Sequence, residues 1–268
     1  MGIANNQLTT SFLLIGIAIL TLASCDGRKT KDLEFADSLA LNYTVLKTVP
    51  HYTKAFTEGL LIYNGKLLES TGLNSQSWIA EVNLSNGDHD KKVTLSDQYF
   101  GEGITVLNDK VYQLTYREKV GFIYDAATYN KIGEFEYNTE GWGLTHNGVH
   151  LIMSDGSHKI YFLDTIALKP VRTLNVTYPS GAKVKNLNEL EFVDGFIFAN
   201  VHETSTIVKI DPSSGKVVGQ MDLSALTNEA KRSYREASEL NGIAFDEATN
   251  TFIVTGKFWP KAYVLRVN

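Results

Sequence analysis

From residue 41 onward, apolar and polar positions alternate in short runs, and Gly, Asn and Asp punctuate them. A period of two predicts strands joined by tight turns, and helical spacing is scarce. The runs come in sets. The first is TEGLLIYN (57–64), KLLESTG (66–72), SWIAEVN (77–83) and KKVTLS (91–96). The second is GEGITVLN (101–108), KVYQLTY (110–116), VGFIYDA (120–126) and KIGEFEY (131–137). The third is GWGLTHN (141–147), HLIMSDG (150–156), KIYFLD (159–164) and VRTLNV (171–176). The fourth is NELEFVD (188–194), FIFANVH (196–202), TIVKID (206–211) and VVGQMDL (217–223), and the fifth is NGIAFDE (241–247), TFIVTGK (251–257) and AYVLRV (262–267). Set starts lie 44, 40, 47 and 53 residues apart. Four strands recurring at roughly 40–50 residues predict a β-propeller blade.

Five sets predict five blades. The fifth has only three strands, and the alternating run NYTVLKTV (42–49) can supply its outer strand. The expected fold is therefore all-β: a five-bladed β-propeller over residues 42–268, closed by an N-terminal strand in the last blade. Closure removes exposed sheet edges. A β-sandwich could hold as many strands, but it gives no reason to repeat a glycine–acid opening in each set. The long last interval holds SALTNEAKRSYREASEL (224–240), whose Ala, Glu, Lys and Arg favour helix. It is predicted as a helical insertion, with Ser224 and Glu229 near its start.

The N-terminal segment follows another logic. Residues 1–24 carry no charged side chain, and residues 12–22 (FLLIGIAILTL) are apolar. That core is too short to span a bilayer, which takes roughly 20 residues. It reads as a secretory signal. Leu22-Ala23-Ser24-Cys25 resembles the bacterial lipobox, and Cys25 is the sole cysteine. The resemblance implies a signal peptide over 1–24 and a lipidated Cys25 holding the protein to a membrane of the bacterial cell envelope. The polar stretch 25–41 would be the tether. One departure is an n-region without Lys or Arg.

Composition narrows the chemistry. Hydrophobic residues make up 43% and charged residues 21%, enough for a real core. The net charge of −5, with no Lys/Arg cluster, gives no footprint for nucleic acid. A single Cys excludes an internal disulfide framework and cysteine-rich metal modules. The six His show no metal-binding spacing, and no G-x-S-x-G or phosphate loop is present. No metal and no cofactor is expected, and a monomer is expected.

In a propeller the first strand of each blade lines the central channel, so residues far apart in sequence converge. The openings are Thr57-Glu58-Gly59, Gly101-Glu102-Gly103, Glu140-Gly141-Trp142-Gly143, Asn188-Glu189-Leu190-Glu191 and Asn241-Gly242. Acids, an amide and an indole would meet at one mouth. Crowded carboxylates raise each other's pKa, and a carboxyl poised near neutrality can act as acid and base. Lys257 ends the second strand of set five and could offset the charge. The plainer reading makes these acids and glycines turn and packing features of the repeat. Ser154-Asp155-Gly156 reads as a turn rather than a nucleophile.

Eight ordered segments carry a resemblance: Ala55-Phe56-Thr57-Glu58-Gly59-Leu60, Glu69-Ser70-Thr71-Gly72-Leu73, Tyr99-Phe100-Gly101-Glu102-Gly103, Gly121-Phe122-Ile123-Tyr124-Asp125, Gly141-Trp142-Gly143-Leu144, Leu187-Asn188-Glu189-Leu190-Glu191, Leu240-Asn241-Gly242-Ile243-Ala244 and Thr255-Gly256-Lys257-Phe258-Trp259-Pro260. Together they resemble the plant and bacterial type of glutaminyl-peptide cyclotransferase. The resemblance implies a five-bladed propeller that converts the N-terminal glutamine of peptides or proteins to pyroglutamate and releases ammonia without a metal. It implies that Glu102 is the proton-shuttling carboxylate. Asn188 and Lys257 correspond to groups that hold the amide and polarise its oxygen, and Trp142 to a pocket wall. Glu58 stands where the family commonly has Gln. Tyr116 and His202 stand where Trp is expected. These departures motivate a rival, a non-catalytic propeller that holds peptide N-termini. A second rival is a calcium-dependent lactonase-like propeller, which would need several oxygen ligands around a central cation.

Overall fold

The computed structural model describes residues 1–2 and 39–268; Cys25 and the expected signal segment lie outside the described residues. Residues 39–268 form one unit of five four-stranded antiparallel sheets and one helix. The chain enters as β1 (Tyr43–Pro50). Blade I is β2 (Thr57–Tyr63), β3 (Lys66–Thr71), β4 (Trp78–Val82) and β5 (His89–Thr94). Blade II is β6 (Gly101–Leu107), β7 (Lys110–Thr115), β8 (Val120–Asp125) and β9 (Lys131–Glu136). Blade III is β10 (Leu144–His146), β11 (His150–Ser154), β12 (Lys159–Asp164) and β13 (Pro170–Asn175). Blade IV is β14 (Leu187–Val193), β15 (Phe196–Val201), β16 (Thr206–Ile210) and β17 (Val217–Asp222). Helix α1 (Ser224–Ser233) follows, and then β18 (Leu240–Asp246), β19 (Thr251–Gly256) and β20 (Lys261–Val267).

The last sheet runs β1-β20-β19-β18, so the N-terminal strand completes blade V as its spacing predicted. Innermost strands touch in ring order, with β18 packed on β2. Closure has a polar latch as well. His51, just past β1, faces the Trp259 carbonyl oxygen at 2.7 Å and the Glu69 carboxylate of blade I at 3.0 Å. Residues 39–41 run beside β17, where the Leu41 N–H donates to the Gln220 carbonyl at 2.8 Å.

The core is divided as a propeller requires. Leu61, Leu68 and Ile79 of blade I meet Ile104, Val111 and Phe122 of blade II. Leu114 and Phe135 meet Leu144, Leu151 and Leu163 across the next gap. Ile152 and Ile160 face Leu190 and Val208. Phe198 and Ile207 face Phe252 and Val254, and Leu60 and Leu67 face Ile253 and Val264. Each apolar face is buried by the neighbouring blade, so no blade has a complete core of its own.

Two expectations need correction. The helix covers Ser224–Ser233 only, not 224–240. It buries Leu226, Thr227 and Ala230 over the blade IV–V gap, and Lys231 and Arg232 sit in its last turn, where the dipole favours cations. Ser224 starts the helix without capping it; the Asp222 carboxylate accepts the Ser224 N–H at 2.8 Å. Glu229 lies in the second half, bonded by Lys261 at 3.1 Å. The chain leaves the helix because Ser238 and Glu239 extend to exchange backbone bonds with Lys257 at 2.8 and 2.9 Å. The first strand of blade III is also shorter than predicted. Trp142 and Gly143 precede it, bonded to Ser154 at 3.1 and 3.0 Å.

Candidate active site

Four of the five innermost strands carry a register irregularity at their first turn of chain. The breaks fall between Thr57 and Gly59, Gly101 and Ile104, Leu187 and Leu190, and Leu240 and Ile243. Such a bulge re-aims side chains that regular pleating would send elsewhere. The residues inside the breaks include Glu58, Glu102, Asn188 and Asn241. The first three, with Lys257 from the turn after β19, line a cavity of about 310 Å3 at one end of the channel. None of these four is more than 5% exposed. The strand openings come this close because they are glycine-rich. A Cβ on Gly143 would collide with the Asn188 carbonyl oxygen of the next blade. Here glycine admits neighbouring backbone rather than ligand.

Lys257 Nζ donates to Glu58 Oε1 at 2.8 Å. Asn241 Nδ2 donates to Glu58 Oε2, also at 2.8 Å. The buried Asn188 Oδ1 has no partner among the described residues. An unpaired buried acceptor is costly, so it marks a place for a donor. Ser154 belongs to the support: it is fully buried, its Oγ donates to the Asn188 carbonyl at 2.7 Å and accepts the Gly143 N–H at 2.7 Å.

Charge in the cavity is strongly coupled. Burial pushes Glu58 up to about 7, against the pull of Lys257. Burial, then the neighbouring Glu58, raises Glu102 well above the carboxylate range. Burial opposes charge on Lys257, but Glu58 and Glu102 outweigh it and raise its pKa. Burial and their mutual repulsion therefore favour one proton shared between the two carboxyls. Both donors to Glu58 favour its ionised form, which leaves the proton on Glu102.

Above this floor stands an aromatic collar. Ring centres lie 5.9 Å apart from Phe56 to Phe100, 5.6 Å to Tyr116, 6.1 Å to Trp142 and 5.3 Å to His202. All five are half-buried. Trp142 Nε1 donates to Glu140 at 3.1 Å, and Arg117 bonds the same carboxylate at 3.2 Å. Gly156, at φ +75°, leaves room for the indole; a Cβ there would stand 2.5 Å from it. Burial, then the Lys257 charge, lowers the pKa of His202, so its ring is neutral at pH 7.

Every candidate within the described residues reaches this cavity: Glu58, Glu102, Tyr116, Trp142, Asn188, His202 and Lys257. The acids of the openings do not all converge. Glu189 accepts the N–H groups of Leu60 and Ile243 at 3.2 and 2.7 Å, tying blade IV to blades I and V. Glu191 lies at the far end of the channel. Phe56, Phe100, Ser238 and Glu239 also line the cavity and were not singled out from sequence. A signal existed for the first two, since Phe-x-Glu recurs at 56–58 and 100–102. None existed for Ser238 and Glu239, which lie in the insertion. Trp259 serves them from below: it is fully buried and its Nε1 donates to the Ser238 carbonyl at 3.0 Å.

The sequence profile of the glutamine cyclotransferase family matches residues 16–267. The chain belongs to the glutamine cyclotransferase family. A glutaminyl-peptide cyclotransferase of Arabidopsis thaliana is 36% identical over 226 residues, covering 83% of this chain and 70% of that protein. The crystal structure of Myxococcus xanthus glutaminyl cyclase matches with a TM-score of 0.80 at 32% identity, over 86% of this chain and 98% of that one. The five-bladed architecture read from the repeat is thus that of a glutaminyl cyclase.

Proposed function

We propose that this protein is a glutaminyl-peptide cyclotransferase that converts N-terminal glutamine to pyroglutamate and ammonia without a metal. The observation that carries the reading is one cavity, in a chain of this family, uniting a buried acid pair, a lysine and an unpaired amide oxygen. The reacting groups both belong to the substrate, so the protein must fold the glutamine side chain back on its own amine. Asn188 Oδ1 accepts from the γ-amide NH2. The Lys257 ammonium, held by Glu58, faces the amide oxygen and stabilises the negative charge it gains as the α-amine attacks. The new C–N bond forms and the old one breaks. The leaving nitrogen takes the Glu102 proton and departs as ammonia, and the proton on the attacking nitrogen restores Glu102. The collar excludes water during this exchange.

Ammonia release from a short Gln-initiated peptide by the full-length protein in detergent, with and without a chelator, tests the reading. Expected is chelator-resistant turnover and a product lighter by one ammonia. Peptide binding without turnover would favour the non-catalytic rival, and chelator-sensitive turnover would remove the metal-free scheme.

The second part of the proposal is an envelope lipoprotein anchored through Cys25. Its support is the lipobox-like Leu22-Ala23-Ser24-Cys25 after an apolar core. Two or three acyl chains, at about 0.8 kcal/mol per buried methylene, would hold it firmly. Cys25→Ser should lose metabolic lipid labelling and move activity to the soluble fraction; retention in the membrane would end this part of the proposal.

A further inference from the structure

The cavity wall is not uniform. Phe56, Phe100, Tyr116 and Trp142 form an apolar arc, and the circuit is completed by His202, Ser238 and Glu239. The floor groups are at most 5% exposed, whereas Glu239 is half-buried and stands in the wall. Its position is tightly held. The Glu239 carbonyl accepts the Lys257 N–H at 2.9 Å, and Ser238 Oγ donates to Glu239 Oε2 at 2.8 Å. Burial works against its charge, but the Ser238 hydroxyl, its own backbone N–H and the nearby Lys257 charge together hold the carboxyl below its ordinary range.

The Lys257 charge reaches Glu239 only at a distance, and no cation is in direct contact with it among the described residues. Lys257 is in contact with Glu58, and Glu140 is in contact with Arg117. Burial and Glu58 favour the neutral form of Glu102, and burial favours the neutral ring of His202 beside the wall. Among the described residues Glu239 joins no ion pair. On the cyclotransferase reading the floor, with the unpaired Asn188 Oδ1, takes the glutamine side chain. A wall residue meets what comes next along the peptide.

Resting on the cyclotransferase reading, we infer that Glu239 is a specificity-determining residue: with His202 and Ser238 it forms a subsite for the residue after the glutamine, and it selects a cationic side chain there. Lysine or arginine at that position gains an ion pair at the mouth, and an acidic residue meets a like charge in a partly desolvated wall.

The test compares kcat/KM for Gln-Lys-Ala, Gln-Ala-Ala and Gln-Glu-Ala with the full-length protein in detergent at pH 7. Attraction and repulsion at a partly exposed site are each worth about threefold, so the Lys peptide should exceed the Glu peptide about tenfold. Glu239→Gln should bring that ratio close to one, and Glu239→Lys should invert it. A ratio unchanged by Glu239→Gln overturns the inference. So does an equal loss on all three peptides, which would assign Glu239 to the α-ammonium instead. Should the variants fold poorly, the wild-type ratio in low salt and in about 1 M salt decides. Narrowing supports the subsite, and a ratio indifferent to salt, or no preference at all, overturns it. Turnover of none of the three peptides by the wild type would refute the cyclotransferase reading itself, an outcome distinct from turnover without preference.

Discussion

At one end of the central channel Glu58 and Glu102 stand beside Lys257 and an unpaired Asn188 oxygen. At the other end Glu191 accepts the Phe245 N–H at 2.9 Å and the Thr145 hydroxyl at 3.3 Å. Both ends are cavities of the same channel, and the far one is larger, about 350 against 310 Å3. Size and acidity therefore do not identify the site. Unfinished bonding does. The far mouth has no lysine or arginine among its lining residues, and its half-buried acid Glu191 bonds the protein itself. The near mouth keeps an acceptor and a proton free for something that is not protein. A carboxylate that bonds backbone N–H groups is architecture; one sharing a proton beside a held ammonium is chemistry.

Five substitutions probe that contrast, in falling order of effect. Glu102→Gln keeps the shape and removes the transferable proton. Turnover should fall about 10^3-fold with little change in KM, as loss of a general acid and base predicts. Steady-state ammonia release checks it, and near wild-type turnover would remove Glu102 from the mechanism. Lys257→Met should cost about 10^2-fold in kcat, typical of losing one stabilising group at an oxyanion. Glu58→Gln makes a sharper companion to it. It deletes the charge that helps raise Glu102, so the basic limb of the kcat/KM profile should move to lower pH.

Gly156→Ala touches only the collar. The Cβ strikes Trp142, and the positive φ disfavours alanine. KM should rise about fivefold, the equivalent of roughly 1 kcal/mol of strain, while kcat holds. Glu191→Gln tests the far mouth and should leave ammonia release unchanged. Burial pushes the Glu191 pKa from 4.5 up to about 8. Its folded form thus binds the proton more tightly than the unfolded chain. The stability it confers is complete below 4.5 and is lost as pH rises through about 8. Going from pH 5 to pH 8, the variant should gain about 2–4 °C in Tm on the wild type. A parallel pH dependence of the two melting curves would contradict the burial argument, and loss of activity would erase the distinction between the mouths.

The blade count, the strand order and the closing strand 42–49 were readable in advance because strand alternation and repeat spacing are local properties of the chain. Glu58, Glu102, Trp142, Asn188 and Lys257 were readable as candidates because each opens a repeat or matches a family segment, and Tyr116 and His202 because they stand where the family has Trp. Three things were not. Glu189 and Glu191 sit within three residues of Asn188, yet they face the axis and the far mouth, because a bulge changes which way successive side chains point. The insertion looked helical throughout, since composition cannot show that Ser238 and Glu239 will pair with Lys257. Phe100 and Phe56 were not singled out, because only ring closure brings their rings together at the collar.

What the sequence by itself determined is the architecture and the inventory: five sheets that alternation dictates, and the acids, amide, lysine and indole placed at their openings. Tertiary structure alone decided which of those groups are satisfied. Hydrogen-bond satisfaction and proton affinity depend on burial and on neighbours 40 to 200 residues away, such as Asn241 on Glu58. Ring closure brings those neighbours together, and only then does one glutamate become a tie between blades and another keep its proton.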